Sequence, residues 1–296
     1  MTGEKLLRPR IGAHKSIAKS IDLAVDRGIK STCECLQIFT RPPRRWEASK
    51  LEPEAVQEFI KKSKAANYFD TAIHMPYLPN LASPYDDQFD RSVNVLIEEV
   101  KKMVILHIPY VITHLGSPKD QDEVFASKRV AEALNRSLNH IKKPSMILLE
   151  NSTAKRKKWG NKIEHIEVIL SKVEEEKFIG MCFDTAHAFS SGYDISTPEG
   201  LNEVIDTLED ILGKEKLKMI HINDSKGRLG SGIDHHEHIG KGYIGIKCFR
   251  ELMQNPRFEK YPMILETPKD DKIGDKHNLE LLRELRSKKY FLKSDE

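Results

Sequence analysis

The chain has 296 residues, 31% of them charged, and its 48 Lys and Arg against 45 Asp and Glu leave a net charge of only +3. So weak a whole-molecule field does not identify a nucleic-acid partner, and any site for a polyanion must be local. The start, Met1-Thr-Gly-Glu-Lys-Leu-Leu-Arg-Pro-Arg10, lacks the apolar core of a signal peptide, and no apolar run is long enough to cross a bilayer, so the expectation is an intracellular protein without a membrane partner, cytoplasmic or, in a eukaryote, nuclear.

Eight short apolar runs read as strands. In chain order they are Arg10-Ile-Gly-Ala-His14, Cys35-Leu-Gln-Ile-Phe39, Thr71-Ala-Ile-His74, Tyr110-Val-Ile-Thr-His114, Met146-Ile-Leu-Leu-Glu150, Ile179-Gly-Met-Cys-Phe-Asp184, Leu217-Lys-Met-Ile-His221 and Pro262-Met-Ile-Leu-Glu266. Segments with apolar residues at helical spacing follow them: Ile17 to Val25, Val56 to Ala66, Val93 to Val104, Val124 to Ile141, Ile163 to Val173, Val204 to Leu212, Ile244 to Met253 and Leu279 to Leu285. Eight strand-then-helix units predict an α/β fold, a closed (β/α)8 TIM barrel, rather than a doubly wound sheet. The strands are continuously apolar because both their faces are buried, whereas each helix buries one stripe. No linker, internal repeat or low-complexity tract divides the chain, so residues 1–296 are expected to form a single domain. Cys33, Cys35, Cys182 and Cys248 are scattered as buried free thiols are, and Cys33-x-Cys35 lacks the second pair of a structural zinc site.

Six of the strands end on a residue that binds metals, namely His74, His114, Glu150, Asp184, His221 and Glu266. The carboxyl ends of barrel strands are where such a fold places its chemistry. Further candidates lie close by: His187, and Asp234-His235-His236 in the loop after the His221 strand. Singly, each histidine reads as a hydrogen-bonded core or surface residue. Gathered on one rim with Glu150, Asp184, Asp234 and Glu266 they read differently, because carboxylates packed so closely raise one another's pKa unless cations intervene. Mixed imidazole and carboxylate donors suit Zn2+, with Mn2+ or Fe2+ as alternative occupants at some sites. Three divalent cations would outweigh the four carboxylates by two charges, and so would attract a phosphodiester. Two basic runs, Arg41-Pro-Pro-Arg44-Arg45-Trp46 and Lys155-Arg-Lys-Lys158-Trp159, lie in loops on the same face, the first reading as a functional patch and the second equally well as solvated surface.

These residues resemble the endonuclease IV family, zinc-dependent apurinic/apyrimidinic endonucleases of base excision repair. The likeness runs from Ile11-Gly-Ala-His14 to Ile264-Leu-Glu-Thr267. It is most specific in Phe183-Asp-Thr-Ala-His-Ala-Phe-Ser-Ser-Gly-Tyr-Asp194, His221-Ile-Asn-Asp-Ser-Lys226 and Gly230-Ser-Gly-Ile-Asp-His-His-Glu-His-Ile-Gly-Lys-Gly242. The resemblance implies three zinc ions: one held by His74, His114 and Glu150, a second by Glu150, Asp184, His221 and Glu266, and a third by His187, Asp234 and His236. It makes Glu150 the catalytic residue that fixes a hydroxide nucleophile between the first two. The implied reaction is hydrolysis 5′ to an abasic site in duplex DNA by a monomer, leaving a 3′-hydroxyl and a 5′-deoxyribose phosphate. Arg44, Tyr77 and Leu78 match the family's residues that enter the base stack, although by themselves Tyr77 and Leu78 read as loop packing.

Three departures bear on DNA contacts. Ser152 to Trp159 replaces a glycine-rich turn, His235 stands where the family usually has Arg, and Pro42, Pro43 and Pro79 stiffen the probing loops. The main rival is a metal-dependent sugar isomerase or epimerase on a similar barrel, which would use one or two metals and mostly carboxylate ligands. A lesion-binding protein without catalysis is disfavoured by the complete ligand set.

Overall fold

Each apolar run becomes a strand of one parallel sheet that closes on itself. The computed structural model describes residues 8–48, 50–153, 159–269 and 274–287. Strands β1 (Ile11–Lys15), β2 (Cys35–Ile38), β3 (Ala72–His74), β4 (Tyr110–His114), β5 (Met146–Glu150), β6 (Ile179–Asp184) and β7 (Leu217–His221) follow one another around the barrel. A short antiparallel ribbon, β8 (Asp224–Ser225) with β9 (His236–Glu237), precedes the last barrel strand, β10 (Met263–Leu265), which pairs with β7 and β1 and closes the ring. Around it lie α1 (Leu23–Lys30), α2 (Pro53–Ala65), α3 (Asp86–Ile105), α4 (Glu123–Leu138), α5 (Ile163–Leu170), α6 (Thr185–Ser190), α7 (Pro198–Leu212), α8 (Ile246–Gln254) and α9 (Gly274–Arg286). Among the described residues no helix is long and apolar enough to cross a membrane.

Every segment with helical spacing overlaps a helix, although α3, α7 and α9 begin at Asp86, Pro198 and Gly274, ahead of the Val93, Val204 and Leu279 where the apolar spacing starts. Helix α1 begins at Leu23, not Ile17, because Lys19 takes a left-handed backbone, φ 76°, that interrupts any earlier turn. Helix α8 begins at Ile246 and not at Ile244, with Gly245 at φ 80° directly before it. Helix α6 was not anticipated, for its six residues are too few to show a period.

The barrel interior is layered by the two-residue repeat of a strand. Cys35, Ala72, Ile112, Leu148, Cys182, Met219 and Ile264, all fully buried, form an apolar plug inside the ring. Two residues further along the same strands stand Gln37, His74, His114, Glu150, Asp184, His221 and Glu266. The apolar layer thus floors a polar rim. On β1 the corresponding positions are Gly12 and His14. Gly12 pairs with Cys35, and a Cβ there would stand 1.9 Å from the Cys35 carbonyl oxygen, so the strands close at this point only around glycine.

The opposite end of the barrel is fastened by Glu34. Its two oxygens each accept a 2.8 Å bond from Arg286 of α9, and one also accepts from the Ile11 amide at 3.1 Å. Arg286 donates further to the Pro9 carbonyl. Burial opposes the Glu34 charge, but Arg286, the Ile11 amide and Arg8 outweigh it and hold the carboxyl below its usual range. The stabilisation is therefore complete above the unfolded pKa of about 4.3 and is lost as pH falls through the lower folded value. Glu34→Gln is expected to lower unfolding stability at pH 7 by about 1.5–3 kcal/mol. The difference from the unsubstituted protein should shrink on acidification, as denaturation midpoints at pH 7 and at pH 3.5 would show. An equal loss at both values would assign the effect to packing.

Candidate metal centre

The rim side chains converge because each strand delivers one at its carboxyl end. Glu150, on β5, lies at their centre and is fully buried. Its Oε2 is 3.1 Å from His74 Nε2 and 3.5 Å from His114 Nε2, while Oε1 is 3.0 Å from His221 Nδ1 and 3.4 Å from His187 Nδ1. One carboxylate thus faces two sets of imidazoles. Donor atoms of His74, His114 and Glu150 lie within 4.8 Å of one another, as do those of Glu150, Asp184, His221 and Glu266, and those of Asp184, His187 and His236. The first two groups coincide with two ligand sets expected from the sequence. In the third, Asp184 is grouped with His187 and His236, whereas the half-exposed Asp234 stands 3.1 Å from His187 Nε2 and 4.0 Å from His236 Nε2. His235 points into the cleft but joins none of these groups.

The hydrogen bonds show which nitrogen each ring offers. His74 Nδ1 donates to the Met75 carbonyl at 2.6 Å, His187 Nδ1 to the Asn151 carbonyl at 2.9 Å and His236 Nδ1 to the Glu266 carbonyl at 3.2 Å. A carbonyl can only accept, so in each ring Nδ1 carries the hydrogen and Nε2 is turned toward the carboxylates. The same arrangement orients histidines that ligate metals. His236 Nε2 is buried without a hydrogen-bond partner, 3.7 Å from Asp184 Oδ2. Lone pairs aimed at carboxylates, with the opposite N–H secured, fit divalent transition cations between them.

Electrostatics point the same way. Burial would raise the pKa of Glu150, yet His114, His221 and His74 hold it well below the carboxylate range. Glu266 is likewise buried but drawn down to about 2 by His221 and His74. Burial also opposes the charged forms of His187 and His221. Asp184 and Asp234 around the one, and Cys182, Glu266 and Glu150 around the other, nevertheless raise both well above the ordinary value. The site is a concentration of negative charge that calls for protons or cations.

Two amides fix Asp184, Asn151 through its backbone and Asn223 through its carboxylate, and neither was singled out in the sequence. Asn151 donates to the Asp184 carbonyl at 3.0 Å and accepts from the Asp184 amide at 2.8 Å, while Asn223 donates to Asp184 Oδ2 at 2.8 Å and accepts from the Glu266 amide at 2.8 Å. Only their places directly after Glu150 and near the end of β7 could have suggested them.

An open cleft of about 590 Å³ lies over the centre, bordered by Arg44, Tyr77 and Lys226. Tyr77 is 59% exposed and meets Phe39 edge-on at 5.5 Å, Leu78 beside it is half-buried, and Arg44 is exposed. The basic run around Arg44 is not one patch. Arg41 is buried, donating at 2.6 Å to Glu99 and at 2.6 Å to Glu98 of α3, and to the Trp46 carbonyl at 2.7 Å. Arg41 therefore secures the loop, and Arg44 and Arg45 alone of its three arginines face solvent. The Tyr77 amide donates to the Pro43 carbonyl at 3.0 Å, tying the Arg44 loop to the Tyr77 loop. Of the second basic run, Lys155 to Lys158 lie outside the described residues, and Trp159 is buried, stacked at 4.8 Å on His165.

Residues 21–288 match the family described as the xylose isomerase-like TIM barrel. Over 276 residues the chain is 38% identical to a protein named probable endonuclease 4 from Methanoculleus marisnigri, covering 93% of this chain and 98% of that one. A protein of the same name from Nitrosopumilus maritimus is 39% identical over 277 residues, 93% of this chain and 99% of its own length. Among solved structures, endonuclease IV from Thermus thermophilus superposes with a TM-score of 0.83 at 31% identity, covering 94% of this chain and 98% of that one.

Proposed function

Because the chain belongs to the xylose isomerase-like TIM-barrel family and, within it, to the endonuclease IV family, we propose that it is a DNA-repair endonuclease acting on duplex DNA at abasic sites. The reaction is hydrolysis of the phosphodiester bond 5′ to the lesion, leaving a 3′-hydroxyl and a 5′-deoxyribose phosphate. The observation that carries this reading is the convergence of imidazoles and carboxylates on Glu150 beneath a cleft edged by Arg44 and Tyr77. Residues 1–296 act as one domain and as a monomer.

His74, His114 and Glu150 would hold one cation; Glu150, Asp184, His221 and Glu266 a second; and His187, Asp234 and His236 a third, with zinc favoured by the donor set. Bound cations supply an acidified water as nucleophile and offset charge on the phosphate and the departing oxygen. Glu150 spans the first two positions, its two oxygens facing different imidazoles. Asn223 keeps the Asp184 carboxylate from turning away, and Asn151 fixes the backbone that carries it. Arg44, Tyr77 and Leu78 stand where they can enter the stack, which is least costly to open where no base is present. The number of imidazoles supports this reading over a sugar isomerase, whose metals would sit mostly among carboxylates.

A duplex carrying one tetrahydrofuran abasic analogue tests the proposal. Hydrolysis needs no sugar aldehyde, so the analogue should be cut, with the stated end groups on both fragments. In the same experiment Tyr77→Ala and Arg44→Ala should weaken binding to the lesion by about 1 to 3 kcal/mol, the scale of one base stacked on an aromatic ring. Undamaged duplex, bound through salt-sensitive phosphate contacts, should be affected much less. Cleavage of natural abasic sites without cleavage of the analogue would show elimination chemistry and refute the reading.

A further inference from the structure

Eight inward rim positions stand at the carboxyl end of the barrel, and the metal reading employs six of them. His14 on β1 and Gln37 on β2 occupy the other two. Gln37 is fully buried and makes three polar contacts, all within the rim. Its Nε2 donates to Glu266 Oε1 at 2.5 Å and lies 3.1 Å from His14 Nδ1, and its Oε1 lies 2.7 Å from His221 Nε2.

These distances determine the orientation of the amide. The Glu266 carboxylate can only accept, and two oxygens 2.5 Å apart would repel, so the Gln37 nitrogen must face Glu266. Its oxygen then faces His221 and requires a donor. His221 Nε2 must therefore carry a hydrogen, leaving Nδ1 toward Glu150 at 3.0 Å, Glu266 at 3.4 Å and Asp184 at 3.8 Å. His221 thus presents the opposite nitrogen from His74, His187 and His236. Those three are oriented by backbone carbonyls, which no substitution removes. His221 depends on a side chain.

We propose that Gln37 is a positioning residue of the metal centre, its amide selecting Nδ1 of His221 as the donor atom and aiming Glu266 at the same cation. The inference rests on the metal reading given above. Removing an outer-shell partner of this kind lowers metal affinity by about 10–100-fold.

Gln37→Met keeps the length of the side chain and removes both the donor and the acceptor. Zinc-loaded wild type and variant would be titrated with a competing chelator, with circular dichroism confirming the fold. The expected result is an affinity for one cation about 10–100-fold weaker in the variant. A folded variant with an unchanged chelator midpoint would overturn the proposal while leaving the metal centre intact. Absence of tightly held metal from the wild type would instead overturn the metal reading itself. A second measurement does not depend on the variant folding. Long-range proton–nitrogen correlation spectra of the zinc-loaded wild type should show His221 protonated at Nε2 and metal-bound through Nδ1. Metal coordination through Nε2 would refute the role of Gln37.

Discussion

Replacing Glu150 with glutamine is expected to lower turnover on abasic duplex by about 10³-fold or more, because electrostatic stabilisation and nucleophile generation supply the largest rate factors in such sites. The substitution preserves shape and removes one charge at the point where four imidazoles meet. An amide presents one oxygen where the carboxylate presented two, so it could not serve both cations of the proposed centre. Binding of DNA should change far less, since the cleft borders, Arg44 and Tyr77, are untouched. Single-turnover rates with binding measured separately would establish the contrast. Near wild-type turnover would remove Glu150 from the reaction.

Stripping the metals should abolish incision and also change how stability depends on pH. Without cations, protons on the surrounding imidazoles become the counter-charge to Glu150, Asp184 and Glu266. Burial opposes protonation of His187 and His221, but the neighbours named above raise their pKa values well beyond the ordinary one. The stability they contribute is therefore complete below the unfolded pKa of about 6.5 and is lost as pH rises through the folded values. Cation binding has the opposite dependence, since protons compete for the same nitrogens. A cation present at about a thousand times its dissociation constant adds about 4 kcal/mol to folding stability. The gap in melting temperature between loaded and stripped protein should widen from pH 6 to pH 9. A gap that narrows over this range would contradict a centre in which imidazoles exchange protons for metal.

The barrel and the composition of its rim were legible because the two signals coincide on the same residues. A short apolar strand that ends on His, Asp or Glu states both where it stops and what it carries. Gln37 sits in the same layer as His74 and Glu150, but an amide inside a strand has no distinctive chemistry until its partners are known, and these come from β1, β7 and β10. Arg41 misled for a related reason. Next to Arg44 and Arg45 it looks like part of a surface charge run, and only Glu99, far along the chain, reveals it as a buried anchor. Helix α6 carries His187 to the centre from a segment too short for any periodicity. The residues whose roles stayed hidden depend on distant partners, whereas the legible ones depend on their place within one element.

The anchoring of Arg41 has a thermodynamic consequence for recognition. The loop that presents Arg44 is already joined to α3 through Glu98 and Glu99 and to the Tyr77 loop through Pro43, so its conformational entropy is surrendered when the chain folds and not when a ligand arrives. A surface organised in this way behaves as a rigid template. In the function proposed, the shape change then falls on the nucleic acid, whose deformation energy varies with the stiffness of its base steps. Flexible pyrimidine–purine steps beside a lesion would make it easier to engage than stiff A-tracts would, a sequence preference set without contact to any base.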